Sequence, residues 1–135
     1  LMLKGCFYTI FISFIGIASG FISGSLLGIF DCDRLRSKYV APIIRGYINI
    51  FRGTPLFVQL LIVYFAVPDM IGIQLSPIAA GIITLGLNST AYLAEIVRSG
   101  INSIEKGQWE ASHTLGYSQQ QTFRFIILPQ AFRNV

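Results

Sequence analysis

Residues 6–30, CFYTIFISFIGIASGFISGSLLGIF, run for 25 positions without a charged side chain. As a helix rising about 1.5 Å per residue, such a run outreaches the ~30 Å hydrocarbon core of a bilayer. A secretory leader is the competing reading. The run is too long for its apolar region and only Lys4 precedes it, so a first span over 6–30 is expected. Gly16, Gly20, Gly24 and Gly28 recur every four residues along it. That spacing puts four missing side chains on one helical stripe, where another helix can approach backbone to backbone.

Composition agrees with a lipid environment. Hydrophobic residues make up 53% of the 135 positions, charged residues 12%, and mean hydropathy is +0.65. Sixteen charged side chains (10 Lys/Arg and 6 Asp/Glu) cannot cover the apolar surface of a soluble chain this long. The net charge of +4 does not point to nucleic acid, because the basic residues sit between apolar runs and form no stripe with interleaved aromatics. They fit cytoplasmic loops of a membrane protein instead. Cys6 and Cys32 lie 26 residues apart without a CxxC spacing, and His113 is the sole histidine, so no metal site is expected. The chain opens at Leu1 rather than Met and stops at Val135 in a stretch that still reads as helix, so a piece of a longer chain is expected.

Two further apolar regions follow. Residues 42–67 are interrupted by Arg45, Arg52 and Pro55, which suggests one span bending at Gly53-Thr54-Pro55, with Arg52 snorkelling or paired. Pro68-Asp69 opens a polar break, and residues 74–97 form a third span with Pro77 at an early helical position. Asn88, Ser89, Thr90 and Tyr92 lie near its middle. They serve either as interhelical hydrogen-bonding groups or as the polar lining of a transport path. Glu95 and Arg98, three apart, can pair on one face. The segment 31–52 holds five Lys/Arg, 68–76 none and 98–124 three. The positive-inside rule places the first and third of these in the cytoplasm, with Lys4 a minor counter-vote.

The stretch 99–129, SGINSIEKGQWEASHTLGYSQQQTFRFIILP, reads as a short helix and a re-entry into the membrane. Gly107 breaks the chain, residues 108–115 make two helical turns, and Gly116 supplies a left-handed end. Ser118 and Gln121 match a capping box that starts another helix, and Pro129 opens or kinks it. Trp109 and Leu115 offer apolar contact, while Ala111 and Ser112 keep one flank thin. An ordinary connecting loop or a helix lying on the headgroups would read the same way.

The spaced run Glu110-Ala111-Ser112, Gly116, Ile126 and Leu128-Pro129 resembles the EAA loop of bacterial ABC importer permeases, E-A-A-x3-G-x9-I-x-L-P. Every spacing agrees, and Ser112 for the second alanine is the one departure. FRGTPLFVQL (51–60), AYLAEIVRSGI (91–101), KGQ (106–108) and LPQAFR (128–133) look like the permeases for polar amino acids, the histidine, arginine and glutamine uptake group.

The resemblance implies an all-α integral membrane permease domain. It would hold about three spans, a cytoplasmic coupling helix over 107–116 and the start of a fourth span over 118–135, out of roughly five core helices. It further implies pairing with a second permease copy or paralogue, and cytoplasmic ATPase subunits contacted through Gly107, Gln108, Glu110, Ala111, Ser112, Gly116, Leu128 and Pro129. A periplasmic or lipid-anchored binding protein would deliver the substrate. The chain contains no G-x-x-x-x-G-K-[ST], so it binds no cofactor of its own and ATP belongs to the partner. An ion-coupled secondary transporter or a structural membrane anchor are the rivals. The uncharged centres of the first and third spans argue against the former.

Overall fold

A computed structural model describes residues 2–134; Leu1 and Val135, and with them the expected end of the last segment, lie outside the described residues. The described residues form α1 (Met2–Phe30), α2 (Ala41–Gly53), α3 (Leu56–Leu61), α4 (Val67–Ile71), α5 (Pro77–Asn102), α6 (Lys106–Thr114), α7 (Gln119–Gln121) and α8 (Leu128–Arg133). Two π-helical segments, Ile62–Ala66 and Thr122–Ile127, connect α3 to α4 and α7 to α8. By length and composition, α1 and α5 are each able to cross a membrane.

The α1–α5 pair is the framework. Gly16 faces Leu85, Gly20 faces Ser89, Gly24 faces Leu93 and Gly28 faces Val97, so the two helices run parallel in a constant register. A Cβ on Gly20 would lie 2.5 Å from Ser89 Cβ, and one on Gly28 would lie 2.5 Å from the Ala94 carbonyl oxygen. Only a hydrogen fits at either position. The close approach also lets Ser23 and Thr90 join hydroxyls at 2.7 Å across the seam.

Parallel helices joined by one segment require that segment to return to the starting end. It does so through the bent pair α2 and α3–α4, whose axes differ by 108°. The bend expected at Gly53-Thr54-Pro55 falls at the break between these two helices, the second of which reaches Ile71 rather than ending at 67. Pro68-Asp69 lies inside helix rather than opening a polar break. A proline needs no amide partner in a first turn, and the π segment before it widens the preceding turn where its ring would clash. The third span is displaced toward the C-terminus relative to 74–97. Ser76 caps its start by accepting from the Ala79 amide at 3.2 Å, and nothing breaks it before Ser103.

Candidate functional site: the short helix after the last long span

Glu105 in an extended conformation precedes α6, and Gly107 sits within its first turn instead of breaking the chain. The far end closes as a glycine-terminated helix: Gly116 has φ +84°, and the Tyr117 amide reaches back to the Ser112 carbonyl at 3.1 Å. The capping box is formed. Ser118 Oγ accepts from the Gln121 amide at 3.3 Å, while Gln121 Oε1 accepts from the Ser118 amide at 2.9 Å.

One face of α6 is buried within the chain itself. Trp109 is 3% exposed and belongs to an apolar cluster with Cys32, Val97, Ile101, Ile127 and Ala131. The Arg34 guanidinium stacks over its indole, 4.8 Å from the ring centroid. Ser112, 1% exposed, shares a 2.9 Å hydrogen bond with the Thr122 hydroxyl. Trp109 and Ser112 therefore do not form the outward face expected of them; they fasten the helix to its own support. Gly107, Gln108, Glu110, Ala111, Thr114, Leu115 and Gly116 form the exposed side. Leu128 is half-buried and Pro129 exposed, both beyond the π segment.

The same end carries an ionic cluster joining α1, α2 and α5. The Asp31 carboxylate, fully buried just past α1, meets Arg45 Nε at 3.3 Å and Arg98 Nε at 3.7 Å. Arg98 also donates to Glu95 at 3.1 Å. Arg52 is paired with Glu95 at 3.9 Å and lies 5.5 Å from the Tyr92 ring centroid. Cys32, beneath Trp109, has its thiol pushed above its ordinary range, first by burial and then by Asp33 and Asp31, against the lowering effect of backbone hydrogen bonds from Leu35 and Arg34. Both cysteines are free.

The four polar residues of the third span separate. Ser89 and Thr90 are in the α1–α5 seam, where Thr90 also donates to the Gly86 carbonyl at 2.7 Å. Asn88 turns toward the bend and donates to Gln59 Oε1 at 3.1 Å, while Tyr92 is exposed beside Arg52. Gln59, which sequence reasoning passed over inside an apolar stretch, is 5% exposed. A lone polar side chain in such a stretch four residues after a proline was the signal available.

Apolar helices long enough to cross a bilayer, packed through small residues and followed by a short helix at one end, define a multi-span integral membrane protein. The family described as binding-protein-dependent transport system inner membrane component matches residues 16–135, and the chain belongs to it. The protein named probable amino-acid ABC transporter permease YckA, of Bacillus subtilis (strain 168), is 44% identical over 133 residues, an alignment covering 98% of this chain and 57% of YckA. The arginine transport system permease ArtQ of the same organism is 39% identical, covering 99% of this chain and 60% of its own length. The glutamine transport system permease GlnP of Escherichia coli (strain K12) is 37% identical, covering 100% and 61%. The chain thus spans about three fifths of the length of these relatives.

Among solved structures, an amino acid ABC transporter crystallised with histidines superposes with a TM-score of 0.82 at 32% identity, over 99% of this chain and 64% of that one. A chain of the MetNI methionine ABC transporter in an inward-facing conformation shares the fold, with a TM-score of 0.78 at 22% identity, over 97% of this chain and 62% of that one.

Proposed function

We propose that this chain is the path-forming and force-receiving part of a permease subunit in an ATP-driven importer of polar amino acids. The observation that carries this is the two-sided character of α6. Its inner face is locked to the fold through Trp109 and Ser112, while Gln108, Glu110, Ala111, Thr114 and Leu115 stand free for a partner. A helix held by its own chain on one side and open on the other passes a push on the open side straight into α5 and α8. The names of the relatives favour amino acids as cargo, with glutamine or arginine the leading choices.

In this reading α6 faces the cytoplasm and docks in a cleft of an ATPase subunit, which binds and hydrolyses the ATP. Clustering of Arg34, Arg36, Lys38 and Arg45 at the same end of the α1–α5 pair supports that orientation. A second permease, identical or paralogous, completes the path, and a binding protein supplies substrate from the other side. Asn88 and Tyr92 line the path; Ser89 and Thr90 hold the helices that frame it.

The test is Gly116→Leu in the full-length permease, assembled with its ATPase and binding protein in proteoliposomes. A leucine at φ +84° is strained and adds bulk beside the docking face. Uptake is expected to fall about tenfold or more, while ATP hydrolysis continues, since a left-handed non-glycine residue costs about 1–2 kcal/mol. Uptake equal to that of the parent would sink the proposal.

A further inference from the structure

The break between α2 and α3 leaves a specific deficit. In an unbroken helix the Phe51 carbonyl would accept from the amide of residue 55, but Pro55 has none. The side chain of Gln59 takes its place: Nε2 lies 2.8 Å from the Phe51 oxygen, 3.0 Å from the Thr54 oxygen and 2.8 Å from Thr54 Oγ1. Thr54 Oγ1 spends its own hydrogen on the Ile50 carbonyl at 2.8 Å, so toward Gln59 it accepts. Three acceptors on one side identify that side of the amide as the NH2 group. The other side is then the carbonyl, and it faces Asn88 Nδ2 at 3.1 Å. Asn88 must therefore present its NH2 to Gln59, with Nδ2 also 3.5 Å from the Phe51 oxygen. Its Oδ1 is left as that side chain's remaining acceptor.

We propose that Gln59 is a positioning residue that supplies the hydrogen bond missing at Pro55, holds the α2–α3 bend, and fixes which way the Asn88 amide faces. The second half rests on Asn88 lining the transport path. A single buried glutamine thus links the shape of a broken span to the polarity of a group on α5. The chain's hydrogen-bond pattern leaves it little choice: loss of Gln59 orphans a backbone carbonyl and frees Asn88 to rotate.

The experiment uses the full-length permease in its complex, with Cys6 and Cys32 replaced by serine. Spin labels at Ile43→Cys and Met70→Cys, exposed positions on the two arms of the bend, report the bend by pulsed dipolar distance measurement. Gln59→Leu is expected to shift or broaden that distance and to raise the KM for uptake about tenfold, the equivalent of one buried hydrogen bond. Combined with Asn88→Ala it should raise KM no further than Asn88→Ala alone, whereas a merely structural role would give additive losses. Gln59→Glu supplies a second readout that does not depend on the leucine variant folding. Protonated, the carboxyl can donate to Phe51 and still accept from Asn88; ionised, it cannot donate. The parent distance should return as pH is lowered, with no such change when residue 59 is glutamine. Unchanged distances in both variants, or KM effects that add, would overturn the proposal. If Asn88→Ala leaves uptake intact while the distance still answers to Gln59→Leu, the path assignment of Asn88 falls and the bend assignment stands.

Discussion

The α1–α5 seam and the cradle of α6 hold helices together by opposite means. Along the seam the contact is made by what is missing. Four glycines at a four-residue spacing bring one backbone against another from Gly16 to Gly28 of α1, facing Leu85 to Val97 of α5. Dispersion and two hydroxyls do the holding, and the interaction is spread evenly. Under α6 the contact is made by a few large or polar side chains: an indole, a guanidinium over it, and a pair of hydroxyls. Distributed contact suits a frame that moves as a unit. Concentrated contact suits a part whose displacement has to be transmitted through a known point.

Breaking the seam should have the largest effect. Gly20→Leu and Gly24→Leu each force a side chain into space occupied by α5, with added Cβ atoms 2.5 Å from Ser89 Cβ and 2.7 Å from the Thr90 oxygen. Overpacking of this kind costs about 3 kcal/mol per site, so the doubly substituted permease is expected to lose its folded state, seen as loss of a monodisperse peak in detergent. Failure to see any drop in thermal midpoint would mean that the helices can separate freely.

Trp109→Ala should come next, at about 4 kcal/mol, but confined to the cradle. Cys32 makes this visible. Burial holds its thiol above the ordinary range, so at pH 8 it carries less thiolate than a free cysteine and should react slowly with a water-soluble maleimide. Trp109→Ala uncovers it, lowers the pKa and speeds labelling, whereas the seam variants at matched folded fraction should not. Equal rates with and without the indole would contradict the cradle.

Ser112→Ala is the mildest change. It leaves the buried Thr122 hydroxyl without its cross-helix partner at a cost of about 1 kcal/mol, and amide exchange in α6 should quicken while the seam stays protected.

The seam was legible in the sequence because a period of four on an uncharged run has one physical meaning. The end of α6 at Gly116 and the capping box at Ser118 and Gln121 were legible because each depends on a few adjacent residues. The inner and outer faces of α6 were not. Trp109 and Ser112 lie three apart on a nine-residue helix whose apolar asymmetry is weak, and only the positions of Arg34, Cys32 and Thr122 decide which face turns inward. The same holds for Ser89 and Thr90, polar groups at membrane depth whose role depends on Gly20 and Ser23 opposite them. The 108° break was marked at its location by Pro55, but its size depends on Gln59 and on the α5 surface it meets.

The π segment before Pro129 makes this helix sensitive to residue count. Buried Thr122 and Ile127 stand five positions apart, while buried Ile127 and Ala131 stand four apart. Deleting one residue between 122 and 127 would return the turn to ordinary spacing and leave the buried positions on either side of it on one face, whereas inserting one would swing everything beyond it by about 100°. Ala131 would then leave the cluster it shares with Val97 and Trp109, and α8 would offer it another face. An insertion here re-aims a helix while a deletion does not, so this stretch should tolerate the loss of one residue better than the gain of one.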